Sequence, residues 1–284
     1  MVLHFINIIC AVYETAHRGA GTAAPENTLV AIEYSQQYGY NAIEFDVMLS
    51  KDNKTFLMHD EERGRTVEGT GSCSQYTLEE LTSLDACKWH TGDRGDFSKC
   101  LQSRLVPQYQ QVLDYCRQYG IWMNVEVKPC EGHEDATGAE VARLTKNSFA
   151  KELALLAVQL AEFQYAEIFK TVSNLPLISS FSYTSLLAVA REAPMLPRAY
   201  LIHNLAEVPE WRKQMVEIRA IAVHTSVEFL TEEQAREIKR LGYGLFVYTV
   251  NSLEDRDRLL GWGVDSFCTD EIELFQKDAR LVCT

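Results

Sequence analysis

Residues 44–60 read Glu44-Phe45-Asp46-Val47-Met48-Leu49-Ser50-Lys51-Asp52-Asn53-Lys54-Thr55-Phe56-Leu57-Met58-His59-Asp60. Glu44 and Asp46 alternate with Ile43, Phe45 and Val47, so both carboxylates lie on one face of a strand. Thr55 to Met58 is a second short apolar run, ending in His59-Asp60. Only residues 50–54 separate the runs. A parallel crossover takes about a dozen residues or more, so the connection is an antiparallel hairpin. A two-residue loop at Asp52-Asn53 sets Asp46 opposite His59 on the same face. A slip of one residue would turn His59 to the other face. Two acids and a histidine on one face are the nucleus of a metal-assisted site.

Working outward, residues 8–16 read as the first strand, ending at His17-Arg18-Gly19. A helix follows from Leu29, capped by Asn27 or Thr28 and stopped by Gly39. Residues 61–106 differ in kind: they are loop-rich, with Arg63-Gly64-Arg65, Glu68-Gly69-Thr70-Gly71-Ser72 and one short helix near 77–84. So long an irregular stretch inside a domain is either a lid or binding loop, or a solvated excursion. Regular alternation then resumes. Strands over 121–127, 177–181, 198–202, 220–224, 244–250 and 264–268 intersperse with helices over 107–119, 140–164, 184–192, 208–217, 231–241, 253–261 and 270–276. Strand and helix in strict alternation mean a parallel sheet. Eight candidate parallel strands in about 250 residues fit a closed TIM-type (β/α)8 barrel, with the hairpin's return strand as an extra. The reading is one α/β domain over residues 1–284, with 61–106 as an insertion or lid within it. An open doubly wound sheet is the runner-up, but no glycine-rich fingerprint opens a helix after a strand.

Composition sets the outer bounds. An apolar content of 46% is that of a chain with a real core. A formal charge of -13 argues against nucleic acid and against an anionic membrane surface, and suits carboxylates gathered round a cation. The eight cysteines are scattered without a CxxC pair or zinc spacing. In a chain of this length that favours free thiols in a reducing, cytoplasmic compartment. Residues 2–13 are apolar, but no Lys or Arg precedes Arg18 and no small-residue cleavage site follows. They read as an opening buried strand, too short to span a bilayer. Nothing here excludes a homo-oligomer.

A barrel of this type carries its site at the C-terminal ends of the strands. Those ends hold His17-Arg18, Glu44 and Asp46, His59-Asp60, Glu126 and Lys128, Ser180-Phe181, His224, Tyr248 with Asn251, and Thr269-Asp270. Glu126 and Lys128 are two apart and share a strand face. With Glu44 and Asp46 they direct three carboxylates into one rim. At 4 Å each pair would repel by about 4 kcal/mol at an effective dielectric near 20. Lys128 and Arg18 offset part of this. One divalent cation offsets it better, and hard oxygen donors suit Mg²⁺ or Ca²⁺ rather than zinc. The plain alternative is three separate surface acids. His17 and His59 supply a base and an acid of the strength that cleaving a phosphodiester needs. Arg18 and Lys128 can neutralise phosphate oxygens. Phe181, Tyr248 and Trp89 can wall the alcohol side of the pocket, with core or lid packing as their plainer roles. His224 reads as a satisfied strand-end histidine, and His90 and His133 as solvated loop residues.

The motifs His17-Arg18-Gly19, Pro25-Glu26-Asn27-Thr28, Glu44-Phe45-Asp46, Met58-His59-Asp60 and Asn124-Val125-Glu126-Val127-Lys128-Pro129 occur in that order. Ser179-Ser180-Phe181, Val247-Tyr248-Thr249-Val250-Asn251, Gly261-Trp262-Gly263-Val264-Asp265 and Cys268-Thr269-Asp270 continue the series. As an ordered set they resemble the glycerophosphodiester phosphodiesterase family, especially its small cytoplasmic bacterial enzymes. The resemblance implies a TIM-type barrel with an insertion after the second catalytic histidine. It implies His17 and His59 as the general acid and base, Glu44, Asp46 and Glu126 as ligands of one divalent metal, and Arg18 and Lys128 at the phosphate. It implies cleavage of glycerophosphodiesters, such as glycerophosphocholine or glycerophosphoethanolamine, to glycerol 3-phosphate and an alcohol. Two departures stand out: Glu14-Thr15, where the family is apolar, and Ala20, where a second glycine is common. Rival readings are a catalytically silent binding relative and a phospholipase D/C-like lyase acting on a phospholipid head group.

Overall fold

The computed structural model describes residues 14–90 and 103–275. In chain order, β1 is Glu14–Ala16, α1 Leu29–Gln37, β2 Ala42–Leu49 and β3 Thr55–Leu57. The short α2 (Leu78–Thr82) lies in the insertion. Then come α3 (Tyr109–Tyr119), β4 (Trp122–Val127), α4 (Glu134–Ser148), α5 (Ala150–Ala161) and α6 (Tyr165–Ser173). The rest alternates strictly: β5 (Leu177–Ser180), α7 (Tyr183–Glu192), β6 (Arg198–Ile202), α8 (Trp211–Glu217), β7 (Ala222–Ser226) and α9 (Glu232–Arg240). It ends with β8 (Gly244–Tyr248), α10 (Leu253–Trp262), β9 (Ser266–Thr269) and α11 (Ile272–Phe275).

β1 pairs parallel with β2 at Ala16 and Ile43, and with β9 along its whole length. That closes β1, β2 and β4 to β9 into a TIM-type (β/α)8 barrel, and the open-sheet alternative falls. The first strand starts later than expected among the described residues, since 8–13 lie outside them. Outward-facing Ile43, Phe45, Val47 and Val125 pack against Val112, Leu113 and Val141 of the surrounding helices. Every residue of β2 is buried, so its alternate residues Glu44 and Asp46 are buried too, on the barrel's inner side. Glu14 and Thr15 are also buried, so the polar departure in β1 does not break its ladder.

The hairpin forms, but in a different register. Val47 faces Leu57, Met48 faces Phe56 and Leu49 faces Thr55. Continuing that ladder sets Asp46 opposite Met58, one residue short of His59. The cause is the turn. Ser50 N–H donates to Lys54 O at 2.8 Å, and Asn53 adopts a left-handed φ of 57°. That is a three-residue loop ending in a left-handed residue, not a two-residue one. His59 reaches the site all the same, because β3 stops at Leu57 and His59 leaves the ladder.

A second correction concerns residues 140–164, expected as one helical region. The segment splits where Phe149, buried, takes a non-helical ψ of 24°, and again where Phe163 turns left-handed at φ 57°. The insertion, in contrast, has its own core. Val67, Cys73, Leu81, Ala86 and Val106 bury against Met48, Phe56 and Met58 of the hairpin. The Val and Leu side chains among these contribute roughly 1.5–3 kcal/mol each when fully buried, which seats the insertion on the strand that carries the acids. Phe97 and Leu101 lie outside the described residues.

Thr28, not Asn27, caps α1: its side chain accepts the Ala31 N–H at 3.1 Å. Thr28→Ala is expected to cost about 1 kcal/mol, a fall of a few degrees in Tm by calorimetry, with turnover unchanged.

Candidate active site

His17, Arg18 and Gly19 form a tight turn directly after β1. Arg18 sits at φ 49°, a conformation that costs a non-glycine residue of order 1–3 kcal/mol. The turn aims its backbone N–H at Glu44 Oε2, at 2.9 Å. Gly21, at φ 57°, lies against the Asp270 backbone, where any Cβ would clash. Ala20 has a negative φ of -153°, outside the left-handed region that favours glycine, so alanine is accepted where the resemblance led one to expect glycine. Asn27 uses its left-handed φ of 57° to face Asp46 squarely. Its amide donates to Asp46 Oδ2 at 2.8 Å, and its Oδ1 accepts the Asp46 N–H at 3.0 Å.

Nine of the residues singled out from sequence, His17, Arg18, Glu44, Asp46, His59, Glu126, Lys128, Phe181 and Tyr248, line one pocket of about 190 Å³ at the barrel mouth. Glu44, Asp46 and Glu126 each bring a carboxylate oxygen within 4.8 Å of the others. Asp46 faces Glu126 across the β2–β4 ladder, which explains the convergence. Lys128 Nζ stands 3.7 Å from Asp46 Oδ1 and 3.7 Å from Glu126 Oε1, beyond hydrogen-bond range.

These acids do not share one electrostatic state. Burial, then the charges of Asp46 and Glu126, pushes Glu44 well above the usual carboxylate range. Burial and Asp46 push Glu126 up to about 7. Burial also acts on Asp46, but Lys128, His59, Arg18 and the Asn27 amide outweigh it and hold Asp46 low. Glu44 Oε1 and Glu126 Oε1 are buried without a hydrogen-bond partner. An orphaned buried carboxylate oxygen is costly unless something else ligates it. The donor set is all oxygen and acidic, which fits a hard divalent cation.

Each imidazole is backed by a carboxylate. His17 Nδ1 lies 2.6 Å from Asp270 Oδ1, and His59 Nδ1 lies 2.7 Å from Asp60 Oδ1. Each Nδ1 therefore carries the proton, leaving Nε2 for other chemistry. Asn251 holds Asp270 from the far side, accepting its N–H at 2.9 Å. Burial lowers the His59 pKa below its ordinary value; Lys128 and Arg18 add to the effect and Asp46 opposes it.

Phe181 and Tyr248 meet edge to face, with ring centroids 6.0 Å apart. Trp89 is not among the pocket's lining residues; its indole N–H bonds Ala86 O at 2.8 Å. Three histidine readings change. His224 is fully buried in the pocket wall, stacked on Phe246 at 4.5 Å, and neither ring nitrogen has a hydrogen-bond partner. It is not the satisfied strand-end residue expected. Burial pushes its imidazole down to about 3, so it is neutral. His90 is half-buried, with Nε2 3.2 Å from Thr22 O, rather than solvated. His133, also half-buried, is the residue just before α4. Sequence reasoning gave no role in the site to Asn27, Glu26 or Arg65. It quoted Asp60 and Asp270 at strand ends without seeing that each backs a histidine. The signal present was adjacency: His59-Asp60, and the terminal Thr269-Asp270 beside the first strand of a closed barrel.

Fold and pocket together define a barrel enzyme whose mouth sets cationic side chains against buried acids, a site suited to a phosphate ester. The chain matches the model of the glycerophosphoryl diester phosphodiesterase family over residues 17–274. It is 29% identical over 272 residues to a glycerophosphodiester phosphodiesterase of Bacillus subtilis (strain 168), covering 92% of this chain and 84% of that one. It is 30% identical over 258 residues to one from Caldanaerobacter subterraneus subsp. tengcongensis, covering 91% and 93%. An Oleispira antarctica phosphodiesterase, solved in complex with the product sn-glycerol-3-phosphate, superposes with a TM-score of 0.76 at 26% identity, over 95% of this chain and 97% of that one. The chain belongs to the glycerophosphoryl diester phosphodiesterase family. It is thereby an enzyme, a phosphoric diester hydrolase. No helix among the described residues is long and apolar enough to cross a membrane.

Proposed function

We propose that the protein hydrolyses glycerophosphodiesters, such as glycerophosphocholine and glycerophosphoethanolamine, to sn-glycerol 3-phosphate and the free alcohol. One observation carries this: three buried carboxylates and two carboxylate-backed imidazoles line the same pocket. Glu44, Asp46 and Glu126 hold one divalent cation, Mg²⁺ or Ca²⁺. When bound, the cation supplies Lewis-acid polarisation of the phosphate and offsets the carboxylates' mutual repulsion. Arg18 and Lys128 take phosphate oxygens, the first by its planar fork and the second as a point charge.

His59, kept neutral by burial and by nearby cations, accepts the proton of the attacking oxygen. His17 donates Nδ1–H to Asp270, whose other side-chain partner is Asn251, so the ring is held with Nε2 turned to the pocket side of that contact. It gives its proton to the departing alkoxide. The bond from phosphorus to the alcohol oxygen breaks as the bond to the attacking oxygen forms. With water as the net co-substrate, the products are glycerol 3-phosphate and the alcohol. Cys73, Cys116, Cys130 and Cys268 are free and buried, which supports assigning the enzyme to a reducing, cytoplasmic compartment.

Phe181 and Tyr248 wall the alcohol side. Phe181→Leu and Tyr248→Leu are expected to raise KM for the choline diester several-fold while leaving kcat within about twofold, as loss of uniform binding does. Steady-state kinetics on a choline, ethanolamine and glycerol panel checks this.

The phospholipid reading has one observation in its favour. Tyr248 stacks at 6.3 Å on His203, which meets Phe229 at 5.0 Å, and Phe181 and Phe229 are both exposed. The test is release of glycerol 3-phosphate from the soluble diester panel, beside lysophosphatidylcholine micelles. Our reading expects glycerol 3-phosphate from the panel. Turnover of the micelles alone, with a cyclic phosphate product, would overturn it.

A further inference from the structure

Arg65 belongs to the insertion and lies outside the pocket lining. Its guanidinium nevertheless uses two of its edges on residues that reach the site. Nη1 and Nη2 donate to Glu26 Oε2 and Oε1, both at 2.7 Å. Nε and Nη2 donate to Asp60 Oδ2 and Oδ1, at 2.6 and 2.9 Å. Glu26 Oε1 also accepts from Arg18 Nη1 at 3.0 Å. Asp60 Oδ1 also meets His59 Nδ1 at 2.7 Å. One side chain thus ends two chains of charge-assisted hydrogen bonds, one leading to Arg18 and the other to His59.

We propose that Arg65 is a positioning residue that sets Arg18 and His59 together, so that the insertion governs both phosphate binding and proton transfer. The inference rests on the roles given above to those two residues. Glu26 is buried beside Arg18. Relieved of Arg65, its whole charge would fall on Arg18 and draw that guanidinium away from an incoming phosphate. Asp60, equally relieved, would be free to turn from His59 and release the ring. Only a planar fork with donors on two edges meets four carboxylate oxygens in this way; a lysine ammonium is a point charge and holds one side at most.

The two branches predict different kinetic signatures on glycerophosphocholine. Glu26→Gln acts through Arg18 and raises KM about 5–10-fold with little change in kcat. Asp60→Asn acts through His59 and lowers kcat about 10–100-fold with little change in KM. Arg65→Ala does both, and Arg65→Lys, which keeps the charge, is nearly as impaired. Because the Arg65 side chain is 44% exposed, free guanidinium at millimolar concentration can enter the vacated position. It restores several-fold activity to Arg65→Ala and none to Asp60→Asn or His59→Ala. Circular dichroism of each variant checks the fold, and Arg65→Lys keeps the test open should Arg65→Ala unfold. Arg65 variants within twofold of wild type, affected in one parameter only, or unmoved by guanidinium would overturn the inference. A fully active His59→Ala would instead overturn the catalytic reading beneath it.

Discussion

His17→Ala lowers kcat by on the order of 10²–10⁴, the range that one positioned proton transfer contributes. Thermal stability should stay close to wild type, because His17 sits in a turn at the pocket edge and fills no part of the apolar core. His59→Ala falls as far. The double variant falls little further than either single one, since each imidazole is useful only while the other acts. The pH profile separates the roles. A base works only when neutral, so kcat/KM falls on the acid side as His59 takes a proton. Its folded-state pKa is lowered from the ordinary 6.5, so that limb lies below 6.5. A bound divalent cation repels the imidazolium and moves the limb the same way. Rapid-quench and steady-state measurements from pH 5 to 9 are the check. Wild-type-like turnover in either single variant would defeat the assignment.

The second large effect is removal of the cation. Chelation is expected to abolish turnover, and added Mg²⁺ or Ca²⁺ to restore it. Asp46→Asn and Glu126→Gln should weaken cation binding by more than the ~10–100-fold that loss of a supporting hydrogen bond costs, because each removes a ligand oxygen's charge. The acids also predict a proton count. In the cation-free chain Glu126 titrates at about 7 and Glu44 lies well above its ordinary range. Both hold protons near neutrality that a cation must displace. Titration calorimetry at pH 7 in two buffers of different ionisation enthalpy should therefore show proton release, lost for Glu44 in Glu44→Gln and for Glu126 in Glu126→Gln.

Stability follows the same linkage. The Glu126 pKa rises from 4.5 to about 7 on folding. Its contribution is fully present below 4.5 and is lost as pH rises through about 7. The chelated protein should melt lower as pH climbs across that window, and Glu126→Gln should flatten the slope. The same variant should lose activity, so stability and function part company at this side chain.

Much of this site could be read in the one-dimensional sequence because its acids sit on strands. A period of two put Glu44 with Asp46 and Glu126 with Lys128 whatever the exact ends of β2 and β4. The strand-and-helix alternation after residue 106 set the barrel, and the barrel set which end carries the chemistry. What failed was set by turns and by burial. The hairpin register hung on whether Asn53 turns left-handed at the end of a three-residue loop, a choice of the backbone that composition leaves open. His224 was misjudged because strand-end histidines usually find a partner, and only the packed barrel reveals that its neighbours are Phe246 and Leu201. Glu26, Asp60 and Arg65 lie up to 39 positions apart and meet only because the insertion folds back over its own core. No periodicity announces such a meeting.

The most direct test is a crystal grown with Ca²⁺ and sn-glycerol 3-phosphate. The account predicts one ion within about 2.3–2.6 Å of an oxygen from each of Glu44, Asp46 and Glu126, and a phosphate lying between the Nε2 atoms of His17 and His59. An ion bound away from those three carboxylates, or a phosphate out of reach of both imidazoles, would contradict it.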